Sequence, residues 1–152
     1  HAHIDGTYAP NNGVPKGEIH NFTMLVGVYL NDIPKPNSGN FTVWPGTHWK
    51  FAEYFRKHGP DSLAGGMPKL DDMPEPEQIC AQAGDIVIAH HLLGHTAMPN
   101  FSPHVRYALF FRVWRADRKH TCLREAITDP FYEWNGIRKL FCAEDVREPA
   151  AV

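Results

Sequence analysis

Four side chains in this sequence carry chemistry that the remainder must house: His3, Asp5, His95 and Arg106. His95 and Arg106 flank the turn cluster Pro99-Asn100-Phe101-Ser102-Pro103. If the flanking strands fold back symmetrically about Asn100-Phe101, His95 faces Arg106 across one ladder, with Cβ atoms ~5 Å apart. A neutral imidazole beside a permanently charged guanidinium is an odd core pairing. It makes sense where the imidazole holds a metal and the arginine holds the far carboxylate of a metal-bound acid. His3 and Asp5 share one face of a first strand, with Ile4 on the other. His1 has the same parity, so His1 with His3 is a competing ligand pair. Two imidazoles and a carboxylate on one side of an ion bind non-haem Fe(II) and leave positions open for substrate and oxygen. His3, Asp5 and His95 can supply that set. Arg106 then lies one side chain from the metal, a distance suited to a five-carbon dicarboxylate.

The elements that must position these residues are short. Phe22 to Leu30 reads as a strand with apolar residues on both faces, which predicts cover on both sides. Gly39 to Trp44 is the next strand, stopped by Pro45-Gly46, and Thr47 is the expected N-cap of a helix from His48 to about Lys57. Residues 59–78 are rich in proline and glycine and lack periodicity, which predicts a lid over a pocket mouth. Gln78 to Ala81, Asp85 to His91, a segment centred on His95, and His104 to Trp114 complete the expected strands. Ala116 to Glu144 reads as helical or irregular, and Arg147 to Val152 as a tail. Seven or eight short strands with frequent Gly/Pro turns predict a mainly β fold, a jelly-roll or small barrel, with one short helix after the third strand.

Composition bounds the rest. At 152 residues, with 43% hydrophobic and 12% aromatic content, the chain is sized for one globular domain spanning 1–152. A net charge of -2 offers no basic field for nucleic acid. No apolar run is long enough to span a bilayer as a helix. Three cysteines (Cys80, Cys122, Cys142) without metal spacing read as reduced thiols in a cytoplasmic compartment.

Three blocks, in order, carry a resemblance. They are His3-Ile4-Asp5; Leu30 to Trp49 (LNDIPKPNSGNFTVWPGTHW), ending in Pro-Gly-Thr-His; and His95 to Arg106, with its Pro-Asn-x-Ser turn. Together they resemble the phytanoyl-CoA dioxygenase-like family of Fe(II)/2-oxoglutarate oxygenases. The resemblance implies a double-stranded β-helix (jelly-roll, cupin-like) with His3, Asp5 and His95 as iron ligands and Arg106 on the 2-oxoglutarate C5 carboxylate. It implies hydroxylation of a small-molecule substrate with O2, 2-oxoglutarate being decarboxylated to succinate. The family often has a small hydroxyl residue two positions after the distal histidine. Here that position is Ala97, and Thr96 is the candidate in its place. Asp5 argues against the halogenase branch, in which a small residue replaces the carboxylate.

Members of this family usually carry a long N-terminal region ahead of the His-x-Asp, so the resemblance implies a fragment or a shortened form. Apolar outward residues of the last strand (Tyr107, Leu109, Phe111, Val113) then need cover, which predicts self-association. Other readings are a cupin-like metal or ligand-binding module, a zinc hydrolase and an inactive oxygenase fragment. Arg106 has no use in the cupin-like module, and the zinc hydrolase lacks an identifiable general base. His90 and His91 read as structural or pocket-lining, and His48 as a local packing residue. Arg112 and Trp114 share the face parity of Arg106.

Overall fold

Strand β1 (Met24–Tyr29) is the middle of the sheet that closes the site, and its residues alternate between half-buried and buried. Leu25, Gly27 and Tyr29 take the buried face, the period-two pattern of a strand packed on one side. The structure is a computed structural model describing residues 2–118 and 122–142. His1 and the expected tail Arg147–Val152 lie outside the described residues. On either side of β1 run β4 (Ile86–Ala89) and β6 (Ala108–Val113), both antiparallel to it. A second antiparallel sheet has the order β3 (Glu77–Gln78), β2 (Phe41–Val43), β5 (His95–Ala97).

The two sheets share one apolar cluster that includes Leu25, Tyr29, Phe41, Val43 and Ala89. The Phe41 and Phe110 rings meet between them at 5.2 Å. Gly27 makes room for that contact. A Cβ there would come within 2.6 Å of the Phe110 ring and 2.7 Å of Val87 Cγ1. A second cluster lies under α1 (Thr47–His58), which buries Phe51, Ala52 and Phe55 along one stripe against Ile4, Leu63, Leu92 and Ile127. After β6 come two short helices, α2 (Arg124–Thr128) and α3 (Asn135–Cys142), in keeping with the helical or irregular expectation. Glu133, between them, is tied to the start of β1. It accepts from Thr23 Oγ at 3.0 Å and pairs with Arg118 at 3.1 Å in a buried ion pair.

Several expectations need correction. His95 and Arg106 do not oppose each other in a hairpin. β5 pairs with β2, placing His95 opposite Val43, whereas β6 pairs with β1 in the other sheet. The turn between them forms as expected: Asn100 accepts from the Ser102 N–H at 2.9 Å and donates to the His104 carbonyl at 2.7 Å. However, it carries the chain from one sheet to the other, because each strand finds better long-range partners than its neighbour in sequence. Thr47 is not an N-cap. Gly46 holds that position, and the Thr47 hydroxyl instead donates to the Trp44 carbonyl at 2.7 Å and accepts from Gly94 N–H at 2.9 Å. The described residues form six strands, and the expected first strand is a single bridge between His3 and His95. The outer face of β1 is not closed as predicted; Ile86, Ile88, Leu109 and Phe111 are exposed across it.

Residues 59–78 are partly ordered by a 3-10 helix (Pro60–Gly65), which buries Leu63. Met67, Leu70 and Met73 pack against the cluster under α1. Among the described residues, no helix is long and apolar enough to cross a membrane.

Candidate metal centre

The bridge that replaces the first strand places the donors. His3 N–H donates to the His95 carbonyl and His95 N–H to the His3 carbonyl, both at 2.9 Å. This reciprocal pair holds the two residues directly opposite, with ring centroids 4.4 Å apart. Two residues on, Asp5 returns to the face of His3, while Ile4 points the other way into the cluster under α1. Gly6 then turns the chain with φ +94, and a Cβ there would press on the Asn21 backbone at 3.3 Å. The result is one group in which His3, Asp5 and His95 each offer a ligand atom, all within 4.8 Å of one another. Among the described residues this is the one such group of three or more metal-type donors.

Charge and tautomer suit a cation. His95 Nδ1–H donates to the Leu93 carbonyl at 2.9 Å, so the Nε2 lone pair faces Asp5 Oδ2, 3.7 Å away. Burial lowers the His95 pKa, opposed by the Asp5 carboxylate, and desolvation lowers that of His3 against the same opposition. Both imidazoles are thereby biased to the neutral form that a metal binds. Asp5 is buried, and its Oδ1 accepts from Arg112 Nη2 at 2.8 Å. The Arg112 guanidinium in turn lies over the Phe22 ring at 5.6 Å. Sequence parity put Arg112 on the correct face; its grip on Asp5 is a long-range contact that no local pattern announces.

The three donors open into a cavity of about 270 Å³, whose lining includes Thr96, Arg106, Phe110 and Arg112. So Arg106 does share a cavity with His95, reaching it from the opposite sheet. Its guanidinium sits over the Phe110 ring at 5.8 Å, and its Nη1 is buried without a hydrogen-bond partner among the described residues. An orphaned buried guanidinium nitrogen marks a place for an anion. Tyr29 is the other residue that the sequence did not flag. It is 1% exposed, and its hydroxyl is likewise without a partner. The sequence reading, a strand apolar on both faces, distinguished neither the direction of its ring nor a role for its phenol.

The other histidines lie elsewhere. His90 uses both ring nitrogens locally, donating to the Pro130 carbonyl at 2.6 Å and accepting from Leu92 N–H at 3.0 Å. The His48 and His91 rings lie beside it, tilted, with centroids at 5.4 Å and 4.4 Å. A separate cavity of about 410 Å³ beside Cys122 contains the surface pairs Arg124–Asp61 and His20–Glu18 but no metal-type group of three.

Two imidazoles and one carboxylate that converge in this way are a set that could hold a single metal ion. The family model described as Phytanoyl-CoA dioxygenase (PhyH) matches residues 1–108. The chain belongs to that family, whose members are oxygenase-type enzymes. No curated protein and no solved structure matches the chain.

Proposed function

We propose that this chain is an Fe(II)/2-oxoglutarate-dependent dioxygenase of the double-stranded β-helix type, acting on a small-molecule substrate. In this reading His3, Asp5 and His95 hold the iron and Arg106 binds the C5 carboxylate of 2-oxoglutarate, assisted by the Thr96 hydroxyl. The observation that carries it is the convergence of three ligand atoms within 4.8 Å with an orphaned Arg106 nitrogen in the same cavity. When bound, iron and 2-oxoglutarate supply the oxidising power, consuming O2 and releasing succinate and CO2 as substrate is hydroxylated.

The protein's part is positioning. Leu93 sets the His95 tautomer and Arg112 occupies one oxygen of Asp5, which leaves the other free to reach the metal. A binding module without 2-oxoglutarate leaves the orphaned Arg106 nitrogen unexplained. A hydrolase needs a general base, and Asp5 is the one carboxylate in the cavity lining.

Three further expectations belong to this reading. Residues 59–78 serve as a lid, since Gly66 and Met67 border a second cavity of about 480 Å³ that also reaches His3, Asp5 and Arg112. The compartment is a reducing, cytoplasmic one, in keeping with free thiols at Cys80 and Cys122. The exposed face of the β4-β1-β6 sheet meets a second copy of the chain.

The reading is tested by succinate release from 2-oxoglutarate in the presence of Fe(II) and O2, without added substrate. Slow release by the wild type, lost in Arg106→Ala, is expected. Equal release by both proteins contradicts the assignment of Arg106.

A further inference from the structure

His3, Asp5 and Arg112 line two cavities at once. One is the space of about 270 Å³ that also holds Thr96 and Arg106; the other, of about 480 Å³, reaches the same three residues from the side of residues 7–12 and 66–67. This second cavity contains none of the residues assigned to 2-oxoglutarate. Ile4, Tyr8 and Met67 give it an apolar wall, and Ile4 and Met67 are fixed from behind by the cluster under α1. Arg112 is the one permanent cation in its described lining. We propose that this second cavity takes the substrate, and that the substrate is an organic acid with an apolar body, its carboxylate seated on the free edge of Arg112. This rests on the Fe(II)/2-oxoglutarate reading and adds the class of substrate to it.

Arg112 is only partly committed. A guanidinium carries five N–H donors, and here Nη2 donates to Asp5 Oδ1 at 2.8 Å. The contact with the Phe22 ring uses its face and leaves its edges open. Nε and Nη1 make no hydrogen bond to any described residue, and the side chain keeps 30% of its surface exposed. Asn12, the amide of the wall, is used up by its own loop. Its Oδ1 accepts from the Ala9 and Val14 N–H groups at 3.1 and 3.0 Å, and its Nδ2 donates to the Thr7 carbonyl at 2.6 Å. Charge points the same way. In the underlying reading the metal and the co-substrate carry equal and opposite charges, and Asp5 is paired with Arg112. With both imidazoles neutral, Arg106 leaves one positive charge over in a site walled by apolar residues, and a monoanion cancels it. A carboxylate on Arg112 gains a charge-assisted bond that its neutral amide cannot make.

Anaerobic calorimetry tests this on the full chain saturated with Fe(II) and 2-oxoglutarate, a state checked by its visible charge-transfer band. The probes are 3-phenylpropanoate and its neutral counterpart 3-phenylpropanamide. The wild type is expected to bind the acid about tenfold more tightly than the amide, the scale of one hydrogen bond between charged groups. Arg112→Gln, given enough iron to fill its weakened site, should bind the two probes alike. Tyr8→Ala should weaken both probes severalfold and keep their ratio, because it removes apolar wall and no charge. Equal affinity of the wild type for acid and amide overturns the proposal, as does a preference for the acid that survives in Arg112→Gln. Binding of both probes unaffected by Tyr8→Ala also overturns it, by placing them outside this cavity. If Arg112→Gln takes up no iron, the wild-type ratio and Tyr8→Ala decide. A wild type that gives no charge-transfer band is a distinct result, and contradicts the underlying reading.

Discussion

Asp5 has two oxygens with different neighbours. One accepts from Arg112 at 2.8 Å; the other lies 3.7 Å from His95 Nε2. Held this way, the carboxylate keeps Oδ2 turned toward His95, and in the proposed reading that oxygen is the one offered to the metal. Arg112 is thus a positioning residue, and losing such a partner typically costs metal affinity tenfold or more. Arg112→Ala is expected to weaken Fe(II) binding about tenfold in competition with a chromophoric chelator, with Arg112→Lys recovering part of the loss. Unchanged affinity in the alanine variant would show that Asp5 is oriented by its backbone alone. At this scale the sequence singled out three residues, His3, Asp5 and His95, that the structure brings within 4.8 Å of one another. His3, Asp5, His95 and Arg106 stood out because metal and carboxylate chemistry restricts residue type and spacing. Arg112 did not, since one arginine among several acquires meaning only through a contact 107 residues away in sequence.

Strands were legible as segments but not as partners. The Pro99–Pro103 turn formed, yet the prediction that it joins one ladder failed, because β5 and β6 belong to different sheets. Local turn chemistry fixes a reversal of direction; long-range pairing with β1 and β2 decides which sheet each strand enters. The outcome for the site is similar by another route, with His95 and Arg106 meeting across a cavity instead of along a ladder. The outward residues of the β4-β1-β6 sheet follow plain alternation, with Ile86 and Ile88 on one edge strand and Leu109 and Phe111 on the other. No charged residue interrupts that face within the three strands, so it offers little to a charged partner and suits the proposed pairing with a second copy. Sedimentation velocity should show wild-type self-association that Phe111→Lys abolishes. A wild type that stays monomeric at tens of micromolar contradicts that expectation.

Across the whole molecule, two apolar clusters divide the work. One lies between the sheets and walls the site; the other lies under α1 and, through Ile4, anchors the backbone between His3 and Asp5. Near the second, His48, His90 and His91 gather, rings tilted, in a poorly solvated group. Burial lowers the pKa of all three, that of His90 to about 4. From pH 6.5 down to about 4 the unfolded chain therefore binds protons that the folded chain refuses, so stability falls as pH falls through that window. His90 alone contributes a loss of roughly 2–3 kcal/mol by pH 4. Urea denaturation between pH 7 and 4.5 should show this decline, and His90→Gln should flatten it. A wild-type stability independent of pH over that range would mean that these rings are hydrated.

The central claim is that His3, Asp5 and His95 hold an iron to which 2-oxoglutarate binds with its far carboxylate on Arg106. The most direct measurement is the visible absorption of the purified chain under anaerobic conditions, as Fe(II) and then 2-oxoglutarate are added. A charge-transfer band that saturates at one equivalent of iron, needs both additions, and demands far more 2-oxoglutarate in Arg106→Ala is the predicted result. Absence of the band in the wild type, or equal 2-oxoglutarate affinity in the variant, would contradict the account.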